Sequence, residues 1–541
     1  MTTAQHTRLT GGEALVAALA AHGVDTVFGI PGTHNLPIYA HLRAYGITHF
    51  SPRHEQGAGY AADGYARTTG RPGICLTTSG PALLNAAAAA AQAYSDSVPV
   101  LLISPGLPLR HPGLGNGYLH EVKNQSAAMA AVVAYSHRVT SVGEIPLAVA
   151  QAFAAMRSHR PRPVHLEIPL DLLDEVAEVA SVAPVPAPLS LPEPGQLHRA
   201  AQLLASAARP GLLVGGGCRA AAAEVVRLAE TLGAPTMTTT NGKGTLPEDH
   251  PMSLGAGLHH PAVQQFVADC DVVLAVGTEL APSDLWSGPL RFTGPLIRID
   301  IDETQVVTNA VPDIALVGDA GASLAGLADR LGDRNRTPAA EAATRAGTWR
   351  DRIKQEARRE GSVWLSIVEA IAAALDRDGV VAGDSAMAVY YGALSNLPTY
   401  TPASFLYPTG LGTLGYGLPA AIGAKLGRPE ARVVAMHGDG GIMFTIPELA
   451  AAAEARLPLP VVVVDNGGYG EIRREMIDRG DQPLGVELGH PDFPALARSL
   501  GCHGVFIDDP ARLTEELEKA FNADRPTLIH VMEPGGGVDP R

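Results

Sequence analysis

Asp439 sits in Gly438-Asp439-Gly440, and 27 positions later Asn466 stands in Asp465-Asn466-Gly467-Gly468-Tyr469-Gly470. Between them lie an Ala-rich stretch, Pro447 to Arg456, and a bare apolar run, Leu459 to Val464. That spacing predicts a strand, a crossover helix and a second strand, with each polar residue at a strand's carboxyl end. Loops at that edge of a parallel sheet are where ligands bind. Mg²⁺ takes hard oxygen ligands in an octahedral shell, usually one or two protein groups plus phosphate oxygens and water. The Asp439 carboxylate, the Asn466 amide oxygen and the Gly468 carbonyl are three such ligands, and they leave positions for a diphosphate. Gly440 and Gly441 let the backbone come close to phosphate oxygens without a Cβ in the way. A Gly-Asp-Gly alone is ordinarily a turn; its coupling to an Asn in a second glycine-rich strand end makes it a candidate site.

A second polar constellation lies near the amino terminus. Phe28-Gly29-Ile30-Pro31-Gly32-Thr33-His34-Asn35 follows an amphipathic stretch, Ala14 to Leu19, and Arg53-His54-Glu55-Gln56-Gly57 opens a run rich in alanine and glycine. Read alone, Glu55 is either a helix-start carboxylate satisfying backbone amides or an acid placed for proton chemistry. Further along, Gly117-Tyr118-Leu119-His120-Glu121 offers another polar pair.

These residues need rigid elements to hold them. At 541 residues the chain suggests about three domains. Residues 8–185 alternate strand candidates (Gly73 to Thr78, Val98 to Ser104, Pro163 to Ile168) with Ala-rich helices such as Leu84 to Tyr94, the mark of a parallel sheet covered on both faces. A proline-rich segment, Ser181 to Pro194, reads as a stiff linker. Residues 196–335 carry a strand running into Gly215-Gly216-Gly217, then a helix to about Leu232, and further strands at Asp271 to Gly277 and Leu296 to Ile301. The triple glycine is only a weak nucleotide-binding signal. A charged helix or connector, Asp333 to Arg359, leads to residues 362–535, which hold Val380 to Ser385, the glycine-rich run Gly410 to Gly423 and the metal motif. The tail Gly535 to Arg541 is expected to fray.

Composition excludes several function classes. A net charge of −15 with no basic stripe makes nucleic acid and anionic membranes poor partners. The longest apolar runs are strand-length, far short of a membrane span. The first residues, Met1 to His6, show no charged and apolar leader. Cys75, Cys218, Cys270 and Cys502 lack metal-ligand spacing and read as buried free thiols of a cytoplasmic protein.

The Gly438-Asp439-Gly440…Asn466 segment resembles the thiamine-diphosphate-binding motif of the acetohydroxyacid synthase and 2-oxoacid decarboxylase superfamily, and the Arg53-His54-Glu55 segment resembles its amino-terminal motif. The resemblance covers nearly the whole chain. It implies an α/β fold of three doubly wound parallel-sheet domains: pyrimidine-binding, Rossmann-like middle and diphosphate-binding. It implies thiamine diphosphate and Mg²⁺ as cofactors, with the coenzyme between the first domain of one subunit and the third of another. A homodimer is then the smallest active form, often paired into a homotetramer.

By motif position Glu55 faces the aminopyrimidine ring and favours its imino tautomer, a role that burial assists by raising a carboxyl pKa. Leu414 matches the apolar wedge that bends the coenzyme, and is equally a packing residue. Asp384, Ser385, Ala386 and Met387 follow a strand and are expected to reach the diphosphate through backbone amides, with Gly440, Gly441, Tyr469 and Gly470 on its other side. Thr33, His34 and His120 are candidate groups over the reactive carbon, with a loop histidine as the plain alternative for His120. Glu121, Glu471 and Ile472 are substrate candidates, and Glu471 is equally a first-turn carboxylate.

Three outcomes stay open. Leu119-His120-Glu121, Phe444 to Leu449 and Tyr469 to Ile472 are most similar to a non-oxidative 2-oxoacid decarboxylase acting on 5-guanidino-2-oxopentanoate, whose cationic tail suits Glu121 or Glu471. The alternative is an acetolactate synthase-type carboligase. There the resemblance leads one to expect a Gln-Glu pair in place of His120-Glu121 and a Trp-containing segment after Asn466. An Arg-Phe-Asp-Asp-like segment is missing at Gly277-Thr278-Glu279-Leu280, so FAD is unlikely though not excluded. A non-catalytic scaffold is disfavoured because Glu55, Asp439 and Asn466 are all present.

Overall fold

The computed structural model describes residues 6–113, 115–186, 189–332 and 339–534. The expected frayed tail at 535–541, the first five residues, Ala187-Pro188 of the linker and the start of the charged connector lie outside these. The chain folds into three six-stranded parallel sheets with helices against them.

In the first domain the strands lie in the order Thr48–Phe50, Thr26–Gly29, Gly73–Leu76, Val100–Gly106, Val164–Pro169, Ser136–Arg138. His6–Thr10 pairs antiparallel with Val176–Ala180 as a separate ribbon. Helix α1 (Glu55–Thr69) begins at His54, whose ring accepts the Gln56 amide, and ends at Gly70 with φ 69°. The middle sheet runs Ser253–Ala256, Thr236–Thr238, Pro210–Val214, Val272–Val276, Leu296–Asp300, Ile314–Val317. There the triple glycine leads through a 3₁₀ turn, Gly216–Ala221, into the helix Ala222–Leu232. The described parts of the expected linker, 181–186 and 189–193, carry no helix or strand.

The charged segment is a helix, Ala339–Glu360, leading to the third domain. Its sheet is ordered Phe405–Leu406, β1 (Val380–Gly383), β2 (Val433–Gly438), β3 (Pro460–Asp465), Thr527–Met532, His503–Ile507. β1, β2 and β3 are buried almost throughout. That explains their unbroken valine content, since strands of a covered parallel sheet face apolar neighbours on both sides. Helices α2 (Gly417–Gly427), α3 (Glu448–Glu454) and α4 (Gly470–Asp478) surround this sheet's site edge.

The first and third domains share one core. α1 and α2 cross so closely that a Cβ on Gly64 would stand 2.2 Å from the Ala420 carbonyl oxygen, and one on Gly423 1.9 Å from that of Ala61. These glycines are demanded by backbone approach. Arg67, fully buried at the end of α1, is bound to Asp63 (2.6 Å), Asp96 (2.8 Å), the Asn241 side chain (2.9 Å) and, more loosely, the Tyr407 carbonyl (3.4 Å). Asp96 also accepts the Thr409 and Gly410 amides, so one buried charge cluster ties all three domains together. Leaving such a guanidinium unpaired costs several kcal/mol, and the surrounding carboxylates and carbonyls are what offset it.

Candidate active site

Asp439 follows β2 directly and Asn466 follows β3, so the two polar residues emerge side by side from adjacent strands. One terminal atom of the Asn466 amide lies 3.3 Å from an Asp439 carboxylate oxygen and 3.0 Å from the Gly468 carbonyl oxygen. With nitrogen at that position the amide donates to both. With oxygen there, three acceptors converge and a cation is what reconciles them. A carboxylate, an amide oxygen and a backbone carbonyl are the hard donor set that Mg²⁺ takes. Gly468, at φ 135°, has no room for a side chain: a Cβ would meet the Val486 carbonyl at 2.2 Å. Burial, then the charge of Asp465, pushes the Asp439 carboxyl above its usual range, a repulsion that a bound cation would relieve. Asp465 goes the other way: burial raises it, but hydrogen bonds from His530 and His490 more than compensate.

Glycine spacing shapes the rest of this edge. Side chains on Gly440 and Gly470 would strike Tyr469 and the Asn466 amide, at 2.8 Å and 2.6 Å. The turn after β1 is built differently from a plain amide cradle. The Asp384 amide donates to Met436 O and the Ala386 amide to Asp384 O, while Ser385 reaches Tyr407 through its hydroxyl. Met387 packs its sulfur beside Asn466. Leu414 is half-buried on the far side of Gly441. Glu471 opens α4, its Oε1 taken by Tyr391 (3.0 Å) and Arg474 (2.6 Å), while Oε2 is buried without a partner. Ile472 beside it is exposed.

The amino-terminal constellation gathers at the equivalent edge of the first sheet. Glu55 is half-buried at the head of α1, and Asn85 donates to its Oε2 (3.0 Å). Asn35 holds the turn after the strand Thr26–Gly29 by accepting the Gly32 amide and donating to Ile30 O, which leaves Thr33 exposed and His34 buried. His34 Nδ1 is 2.6 Å from the Ser79 hydroxyl, and its ring meets that of His120 edge-on at 4.9 Å. Burial, helped by His120, lowers the His34 pKa and so favours the neutral imidazole. His120 has a left-handed backbone, φ 62°, and a buried Nδ1 without a partner. A non-glycine residue held in that region stores strain, and such strain clusters at functional sites. Glu121 spends Oε2 on the amides of Asn116, Gly117 and Tyr118, so it braces the loop that presents His120.

Among the described residues, no hydrogen bond or ion pair of the single chain joins Glu55, His34 or His120 to Asp439, Asn466 or Gly468. What links the domains near Glu55 is Glu448, at the start of α3, which accepts the Arg53 and His54 amides at 3.0–3.1 Å. Ser79, Asn85 and Glu448 were not singled out from the sequence. Ser79 and Asn85 flank a Gly-Pro turn after the strand Gly73–Leu76, a position that invites attention; Glu448 carries no such signal. Two further features lie apart. His259, His260 and Glu360 cluster, but His259 Nε2 is paired with Glu360 (2.9 Å) and His260 Nε2 with Ser395 (3.0 Å), pinning the middle domain to its neighbours. A cavity of about 570 Å³ opens beyond the middle sheet, lined by Gly216, Gly217, Arg160 and Asp300 among others.

The thiamine pyrophosphate (thiamine diphosphate) enzyme N-terminal TPP-binding domain matches residues 9–134, the central domain 197–327 and the C-terminal TPP-binding domain 382–531. A probable 2-ketoarginine decarboxylase of Pseudomonas aeruginosa is 43% identical over 97% of this chain and 94% of its own length. A probable acetolactate synthase large subunit of Methanocaldococcus jannaschii is 34% identical, over 97% and 92% respectively. The acetolactate synthase isozyme 2 large subunit of Escherichia coli is 33% identical, over 97% and 95%. With all three domains matched in order and relatives of 33–43% identity covered almost end to end, the chain belongs to the thiamine pyrophosphate enzyme family.

Proposed function

We propose that the chain is a Mg²⁺-dependent, non-oxidative 2-oxoacid decarboxylase that releases an aldehyde and CO₂, with 5-guanidino-2-oxopentanoate as its substrate. Asp439, Asn466 and Gly468 hold the metal and, through it, the diphosphate. Gly440, Gly441, Ser385 and Met387 line the diphosphate's path, Tyr469 and Gly470 close it, and Leu414 supports the ring. Thiamine diphosphate, when bound, supplies the electron sink for the bond to CO₂. Glu55 holds a proton at the pyrimidine ring, and the half-exposed state of this carboxyl in one chain is why a second copy is part of the proposal. Apolar Leu119, Leu411, Phe444 and Ile472 are exposed beside the candidate residues of both edges, as a surface covered in a homodimer would be. A tetramer is then a pair of such dimers. Four buried free cysteines suit a reducing, cytoplasmic setting, and no helix among the described residues is long and apolar enough to cross a membrane. FAD forms no part of the proposal.

The observation that carries the decarboxylase reading is His120. Its strained backbone and unpartnered buried nitrogen, set against neutral His34, offer a group that returns a proton and so ends the reaction at an aldehyde. Glu471 is the proposed acceptor for a guanidinium tail, because Glu121 is committed to its own loop. The carboligase reading has support from the acetolactate synthase relatives, and product analysis separates the two. With 5-guanidino-2-oxopentanoate the enzyme is expected to form CO₂ and 4-guanidinobutanal. Acetolactate from pyruvate, with no turnover of the guanidino acid, would reverse the assignment.

A further inference from the structure

Asp384 is fully buried, and both of its oxygens are taken by groups of the protein. Oδ2 accepts the Gly415 amide (3.0 Å), Oδ1 accepts the Tyr416 amide (3.1 Å), and His437 Nδ1 is 3.0 Å from Oδ2. A carboxylate oxygen only accepts, so His437 carries its hydrogen on Nδ1. Two successive peptide N–H groups bound by one carboxylate fix the backbone immediately after Leu414. The same oxygen bounds the metal turn: a Cβ on Gly441 would lie 2.4 Å from Asp384 Oδ2 and 3.7 Å from Leu414 Cδ2. From the other side Thr445 donates to the Gly415 carbonyl at 2.7 Å. Asp384 is itself anchored to β2, its amide donating to Met436, three residues before Asp439.

Burying a carboxylate is costly unless donors compensate it, and an apolar side chain would fill the same volume without that cost. What the charge adds is directional: charge-assisted bonds to two specified amides. We propose that Asp384 is a positioning residue for the Leu414 wedge. It registers the segment Leu414-Gly415-Tyr416 against the strand that ends in the metal ligand Asp439. Metal turn and wedge therefore keep a fixed spacing before any coenzyme arrives. The inference rests on reading Leu414 as the wedge.

The test is a double-mutant cycle with three readouts. Asp384→Asn retains the shape, but its amide nitrogen opposes one of the two backbone N–H groups. In the apoenzyme, hydrogen exchange at Gly415 and Tyr416 is expected to rise about tenfold or more while the sheet amides keep their protection. In the holoenzyme, thiamine diphosphate and Mg²⁺ should bind within about threefold of the parent affinity, while C2–H exchange of the bound coenzyme slows about thirtyfold. In a Leu414→Ala background the same substitution should add less than about threefold, because both changes remove one function. A full effect persisting without Leu414 overturns the inference, as does a loss of coenzyme affinity with unchanged exchange per bound coenzyme. Should Asp384→Asn not fold, Thr445→Val loosens the same segment from its other side, and unchanged exchange there also overturns it. If Leu414→Ala alone leaves exchange untouched, it is the wedge reading that fails.

Discussion

Glu55 accepts a side-chain hydrogen bond from an asparagine, Asn85, and heads a helix whose amino end favours negative charge. A group placed to hold a ring proton has to be judged by proton traffic and not by fold stability. Glu55→Gln is expected to cut C2–H exchange of the bound coenzyme by about 10²-fold or more while coenzyme binding persists; exchange at the parent rate would remove Glu55 from the chemistry. Asp439→Ala removes the only charged group of the three-oxygen set, and titration calorimetry should then show thiamine diphosphate no longer retained in a Mg²⁺-dependent way. His120→Gln acts later in the cycle. Aldehyde formation should fall about 10²-fold with C2–H exchange intact, and an unaltered aldehyde rate would reduce His120 to a loop residue. At this scale the sequence was informative wherever a residue's neighbours in the chain are also its neighbours in space. Asp439 and Asn466 each end a short valine-rich run, so their strand-end placement could be read directly. The left-handed backbone of His120 could not, because it is imposed by the bracing of Glu121 and the turn around it.

Elements are held together here by a few polar contacts between residues far apart in the chain, and these were the hardest part to read. The first parallel sheet followed from the alternation of strands and Ala-rich helices, and the plan of three such domains from the resemblance to the family. The service of Asp384 to Gly415 and Tyr416, and of Glu448 to Arg53 and His54, has no local mark, since the partners stand 31–32 and 394–395 residues apart in the chain and meet only in the folded molecule. Glu448 carries a pH signature of this packing. Burial, partly offset by the amides of Arg53 and His54, raises its carboxyl from 4.5 to about 7. A folded pKa above the unfolded one means that the native state binds the extra proton. The contribution of Glu448 to stability is therefore greatest below 4.5 and declines as pH rises through 7. The total is on the order of 3 kcal/mol at 1.36 kcal/mol per unit. Glu448→Gln should accordingly gain melting temperature relative to the parent on going from pH 5 to pH 8. A difference that stays flat across that range would show that the backbone amides, and not burial, govern the group.

For the whole molecule, the decisive geometry is that, among the described residues, Glu55, His34 and His120 make no hydrogen bond or ion pair with Asp439, Asn466 or Gly468 within one chain. In the proposed homodimer, a two-fold axis would bring the first edge of each chain to the third-domain edge of the other. Complementation tests this directly. Glu55→Gln and Asp439→Ala chains, each inactive alone, form on co-expression mixed dimers with one doubly altered site and one intact site. Random pairing should restore about a quarter of the parent activity. No restoration, in dimers verified by sedimentation, would place both residues of a site in the same chain.

Because Arg67 anchors Asp63 and Asp96 of its own domain, Asn241 of the middle one and the Tyr407 carbonyl of the last, excising the middle or last domain opens the cage around a buried cation, and excising the first removes the cation itself. Modular shuffling among relatives would have to carry that knot across intact. A graft that joined the pieces at the linkers alone would be expected to yield insoluble chimeras, however well each fragment matched its own profile.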